Sequence, residues 1–191
     1  MVARRAALCA VVVVGLAAAG CAIPTQRAPS AIPANHVPGG LLSPTTTTTQ
    51  PHVAEVPVKV YLLGSAQQLV SVQRIVQVPA PLTSIITAML GGPTGGEVAQ
   101  GITTAIPDNV EILSATTHGS VVTVNFNGAF GEIFGSNTEL AVAQVVATIA
   151  AQNGLAGLKT GVLFEIEGEP ISVPIASGQQ VQGPVTLAQF I

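Results

Sequence analysis

The chain has 191 residues, of which 48% are hydrophobic and 8% charged, with a formal net charge of −3. Removing residues 1–20 takes Arg4 and Arg5, so four basic residues face nine acidic ones and the remainder sits near −5. Phosphate binding needs clustered Lys and Arg, which excludes nucleic acid as a partner. With no Trp, one Tyr and five Phe, the core must be built from Val, Ile, Leu and Ala.

Residues 1–20 read as an export signal. Arg4 and Arg5 form the positive start, Ala6 to Ala19 is continuously apolar, and Ala18-Ala19-Gly20 supplies small residues before Cys21. The 14 residues of that run cover roughly 21 Å of helix, short of a ~30 Å hydrocarbon core, so cleavage is expected over a permanent span. Leu16-Ala17-Ala18-Ala19-Gly20-Cys21 resembles a bacterial lipobox, with Ala18 where a Leu is usual. That resemblance implies diacylglycerol on the Cys21 thiol, a palmitate-type anchor, and a protein held on the extracytoplasmic face of the cell membrane. Two acyl chains anchor stably where one is marginal. Cys9 leaves with the signal, so neither a disulfide nor a Cys-based metal site is expected.

Residues 21–55 form the lipidated Cys21 and a linker. Pro24, Pro29, Pro33, Pro38, Pro44 and Pro51, the run Thr45 to Thr49 and the lack of hydrophobic periodicity mark a segment unable to bury a core. His36 and His52 fall within it.

The folded domain is expected over residues 56–176, followed by a tail at 177–191. Val56 to Leu63 reads as a strand buried on both faces, hence central. Leu69 to Val78 should return as its hairpin partner. Leu82, Ile85, Ile86, Met89 and Leu90 recur at i, i+3, i+4, i+7 and i+8, one stripe of a helix. Pro81 suits its first turn, Gly91 and Gly92 are expected to give the left-handed cap, and Pro93 forbids continuation. A Gly-rich loop leads to Ile102–Pro107.

Val110 to Thr117 and Ser120 to Asn127 read as strands joined at His118-Gly119. Phe130, Ile133 and Phe134 are expected to fold back over the core. Ser136-Asn137-Thr138-Glu139 has the spacing of a capping box and opens a helix to about Gln152, burying Val142, Val145, Val146 and Ile149 and closed by Asn153-Gly154. Leu158 to Glu167 and Ile171 to Ile175 complete the strands, and Gly183 to Ile191 reads as a final flap. The order β-β-α-β-β-α-β-β predicts a two-layer α+β domain, two helices on a mixed or antiparallel sheet.

Several stretches resemble the GerMN domain of spore-germination and sporulation proteins. They are Val60-Tyr61-Leu62, Met89-Leu90-Gly91-Gly92-Pro93-Thr94, Gly101 to Pro107, Val122-Thr123-Val124-Asn125-Phe126, the helix from Thr138 to Gln152, and Glu167-Gly168-Glu169-Pro170-Ile171. His118 and Asn125 depart from the pattern, which more often has acidic residues there. The family is associated with envelope lipoproteins of Gram-positive bacteria, in actinobacteria with an accessory lipoprotein of a sensor kinase, and with a fold like that of ring-building motifs. The resemblance implies a non-enzymatic interaction or assembly module with an envelope protein partner and no cofactor.

The candidate interaction loop is Gly92, Pro93, Thr94, Thr103 and Thr104. A sheet edge is a further candidate surface. The other reading is a binding protein for a small apolar or glycan ligand, held beneath Phe126, Phe130 and Phe134. For catalysis the folded part offers one His, His118, and one Asp, Asp108, at turns about a strand apart, with no third group to orient a base. Gly91 to Gly96 follows a helix instead of opening one and lacks a Lys, so it reads as cap and turn. Glu165, Glu167 and Glu169 alternate and are read as a solvated strand face in preference to a cation site.

Overall fold

A computed structural model describes residues 53–152, 155 and 157–191. The export signal, Cys21, the linker to residue 52 and the Asn153-Gly154 cap lie outside the described residues. The chain opens with β1 (Glu55–Leu63), which turns through Gly64–Gln68 and pairs antiparallel with β2 (Leu69–Gln77). Val60 and Leu62 on one face are fully buried, while Glu55, Pro57 and Lys59 on the other are exposed. β1 is therefore not a central strand buried on both faces: its sheet has two strands. On that second face Leu63 alone is buried, at the end of the strand where its backbone also bridges Thr103.

α1 (Leu82–Leu90) follows, with Pro81 as its N-cap and Ile85, Ile86 and Met89 buried. Gly91 stays right-handed at φ −60°. Only Gly92, at φ +67°, enters the left-handed region where a Cβ is strained. The Gly-rich stretch after it is a short helix, α2 (Gly95–Ala99), started by a capping box of Thr94 and Glu97. The expected box at Ser136 is absent: Gly135 caps the later helix without a side-chain bond, and the Thr138 hydroxyl donates to Ile133 O instead (2.6 Å).

β3 (Ile112–His118) and β4 (Val121–Phe126) form a second hairpin whose turn is Gly119-Ser120, one residue later than His118-Gly119, because His118 is still paired with Val121. Its register shifts between Ile112 and Ser114, leaving Leu113 as the extra residue of a bulge. A 3-10 turn at Gly128–Glu132 brings Phe130 inward, where it stacks on Phe126 with ring centroids 4.5 Å apart. Phe164 completes the trio at 5.9 Å from Phe130. Phe134 is not part of this cover and stands 79% exposed.

α3 (Ser136–Ala150) is buried all round from Ala141 to Ala150, as a helix apolar on every side must be. It carries the chain from β4 to β5 (Gly161–Ile166), which pairs parallel to β4. A turn at Glu167-Gly168, both with positive φ, returns the chain as β6 (Glu169–Pro170). β7 (Val173–Pro174) and β8 (Gln180–Val181) make a third small sheet, and buried Val185 bridges Val162. The fold is α+β as expected, but the short α2 and two further strands change the order to β-β-α-α-β-β-α-β-β-β-β, and the strands fall into sheets of two, four and two, the four ordered β3-β4-β5-β6. One core cluster joins all of them: Val60 and Leu62, Ile86 and Met89, Val122 and Val124, and Val145, Val146 and Ile149 of α3.

Candidate functional site

The two edges of the β1–β2 hairpin differ, and the difference begins with backbone parity. Gly64 donates to Gln68 O and Val78 to Ala54 O (both 2.8 Å), so even-numbered residues exchange the ladder bonds. Odd-numbered residues then aim N–H and C=O outward. On β1 that edge is closed from the Lys59 carbonyl to Leu63. Leu63 and Thr103 bond reciprocally at 2.9 and 2.8 Å. Tyr61 N–H donates to Thr148 Oγ1 (2.9 Å), Tyr61 O accepts from Gln144 Nε2 (3.3 Å), and Lys59 O accepts from Gln152 Nε2 (2.9 Å). Pro57 has no N–H to leave open.

Gln144 and Thr148 on α3 and Gln152 just past its end are spaced i, i+4 and i+8, and so serve the second half of β1 as a neighbouring strand would. Gln144, 0% exposed, also accepts from Ala105 N–H (2.8 Å) and lies 3.1 and 3.3 Å from the Thr104 hydroxyl. Thr148 in turn donates to Met89 Sδ (3.2 Å), tying α1 to α3. Reading the sequence missed these polar residues. Their regular spacing in an otherwise apolar helix was the available signal.

The candidate loop residues fall into the same framework. Arg74, on the inner face of β2, grips both Glu97 oxygens at 2.8 Å and donates to Gly92 O at 2.8 Å. Glu97 also accepts from Thr94 N–H (2.7 Å), and its own N–H donates to Thr94 Oγ1 (3.4 Å). The Arg74 hydrogen bonds hold the Glu97 carboxyl at about 2, below the ordinary 4.5; partial burial opposes them and Thr94 reinforces them. Gly92 and Thr94 thus meet Arg74 and Glu97 on either side of Pro93, whereas Thr103 and Thr104 are committed to β1 and α3. The two ends touch: a Cβ on Gly92 would lie 3.7 Å from Thr104 Cγ2. The loop presents Thr94, Gly95, Gly96, Val98, Ala99, Gln100 and Thr103 outward. Arg74 and Glu97 were not singled out from sequence, although Thr94-Gly95-Gly96-Glu97 has the capping-box spacing.

Other sequence candidates take structural places. Asp108 precedes β3 and His118 is its last residue, so the two lie at opposite ends of the strand and no base and orienting acid meet. Glu165 lies in β5, Glu167 turns its carboxylate to Gly128 N–H (2.9 Å), and Glu169 pairs with Ile166, which breaks the alternating row. Among the described residues no three His, Cys, Asp or Glu side chains gather as a metal site. Asn125 Oδ1 accepts from Gly168 N–H (3.0 Å), a turn-holding role that an amide fills well. Phe126 and Phe130 are core, 0% and 2% exposed, so the space expected beneath them for a ligand is filled by Phe164.

The opposite edge, on β2, is uncovered. The outward groups of Leu69, Ser71, Ile75 and Gln77 have no protein partner among the described residues, and of Gln73 only the C=O is used, by Arg74 Nη1 (2.9 Å). Beside this edge runs a groove of about 570 Å³, walled by Ile75 and Gln77 of β2 and by Leu113 of β3, and floored by Ser84, Thr87 and Ala88 of α1. Ile75 is 60% and Leu113 48% exposed. Through Thr87 and Ile112 it continues into a second groove lined by Asp108 and Glu111.

This is an α+β domain whose central helix closes part of one strand edge and leaves another open. The chain belongs to the Germane family, described as sporulation and spore germination, whose model matches residues 59–172. Its fold is similar to the first GerMN domain of the sporulation protein GerM from Bacillus subtilis, at 16% identity and TM-score 0.52, over 69% of this chain and 97% of that one. It is likewise similar to the tandem GerMN domains of GerM, at 21% identity and TM-score 0.50, over 70% of this chain. The chain spans only 45% of that tandem structure. No curated protein sequence matches it.

Proposed function

We propose that the protein is a membrane-anchored envelope lipoprotein, acylated at Cys21, whose GerMN-type domain is a non-enzymatic protein-interaction or assembly module. The observation that carries this reading is the asymmetry of the β1–β2 hairpin. Gln144, Thr148 and Gln152 close the second half of one edge, at Lys59 and Tyr61, while the other keeps its backbone groups open along nearly its whole length beside exposed Ile75 and Leu113. An open strand edge with apolar side chains at its rim is a surface for another polypeptide. Membership of a sporulation and germination family supports a role in the cell envelope. The lipobox-like run supports attachment to the membrane there, with the Pro- and Thr-rich residues 22–55 as spacer.

Cross-linking in intact cells tests the module. Discrete protein adducts are expected, and lipid or glycan copurifying with a monomer would overturn the reading in favour of a small-ligand carrier.

A further inference from the structure

We infer that the groove between β2 and β3 accepts an extended, cation-bearing polypeptide segment, which adds as a strand to the open β2 edge above α1. This rests on the interaction reading above and names its surface and the kind of partner it fits.

Three observations define the occupant. The β2 edge offers alternating N–H and C=O groups over nine residues, Leu69–Gln77. Only an extended backbone matches that spacing, since a helix has no outward donors of its own to return. Strand edges that must stay single are usually blunted by Pro, by an inward-pointing charge or by a bulge. The sequence LVSVQRIVQ has no Pro and pairs without a register shift. Its one charge, Arg74, is neutralised by Glu97.

The second observation is the groove itself. Ile75 and Leu113 both line it together with small residues of α1, Ser84 and Ala88, leaving room for apolar side chains of an incoming strand. β3 is terminal in its own sheet, so the far wall is also a strand edge.

The third is charge. All nine acidic residues of the chain lie in the described domain, against Lys59, Arg74 and Lys159, and Arg74 is already paired. At the end of the groove Asp108 and Glu111 are exposed and face no cation among the described residues. A Lys or Arg on the incoming segment completes that pair. An acidic segment, or a second copy of this acidic domain, is opposed by it.

The test uses the full-length protein with p-benzoylphenylalanine at Leu113 or, outside the groove, at Phe134 or Val98, photolysed in the cells that make it. The expected Leu113 adduct, sequenced by mass spectrometry, lies in a stretch with alternating apolar residues and a Lys or Arg. A nonapeptide synthesised from that stretch should bind the purified full-length protein. Ile75→Pro removes one outward N–H and leaves the β1 ladder intact, so its binding should weaken about tenfold. Asp108→Asn with Glu111→Gln should weaken it about fivefold at low salt. If Ile75→Pro fails to fold, the charge variant decides.

Binding unmoved by the folded variants, or a Leu113 adduct on an acidic segment or on a lipid, overturns the inference. Adducts from Phe134 or Val98 alone overturn the groove but leave the interaction module standing. No protein adduct from any of the three positions overturns both.

Discussion

The side-chain oxygen of Gln144, in the most buried helix of the domain, accepts the backbone N–H of Ala105 at 2.8 Å, 39 residues away in sequence. Its amide nitrogen reaches Tyr61 O at 3.3 Å, so one side chain ties α3 to both β1 and the loop after α2. Gln144→Leu keeps the volume but leaves Ala105 N–H and Tyr61 O buried without partners. The expected loss is about 2–4 kcal/mol of unfolding free energy, read from denaturant melts. Thr148→Val, which strands one N–H, should cost about 1–2 kcal/mol.

The Arg74–Glu97 pair gives a specific acid response. Glu97 has a folded-state value lowered to about 2 from 4.5, so the stability it contributes is present above 4.5 and is lost as the pH falls towards 2. Melting temperature followed across that window should fall more steeply for the unmodified protein than for Glu97→Gln, which has no proton to take up. Parallel curves for the two proteins would remove the pair as the cause.

Gly161 allows the last segment of the chain to dock. A Cβ there would lie 2.9 Å from Pro184 Cβ, one residue before the Val162–Val185 bridge. Gly161→Ala should therefore push residues 183–186 off the sheet, costing about 1–3 kcal/mol. Hydrogen exchange should show faster loss of protection at Val162 and Val185, whose amides bond each other's carbonyls at 2.7 and 2.9 Å.

Cys21 governs the anchor in the proposed function. Cys21→Ser should move the protein from the membrane to the soluble fraction and remove the acyl mass from its amino end, because two chains supply ~0.8 kcal/mol per buried CH₂ and the linker supplies nothing comparable. Unchanged fractionation of the variant would overturn the anchoring.

Much of the architecture was legible from local pattern. The apolar stripe of α1, the two hairpins and the buried helix each follow from periods of 3.6 or 2 within a dozen residues, because local geometry alone decides which side chains share a face. The candidate site was legible only in part. Gly92 and Thr104 come close in space, yet the groups that bond to this loop, Arg74, Glu97 and Gln144, come from β2, α2 and α3. Charge and hydroxyl spacing cannot say which distant backbone a side chain will meet. The capping box was placed at Ser136 when it forms at Thr94 for the same reason: two stretches have the spacing, and packing chooses.

The sequence by itself determined the composition of the core and the order of the longer strands and helices, since these depend on residue type and short-range period. Only the tertiary structure decided that β1 is an edge partly closed by a helix while β2 is an edge left open. Strand pairing partners are set by contacts between segments as many as 93 residues apart, such as Gln152 with Lys59, and no local pattern records them.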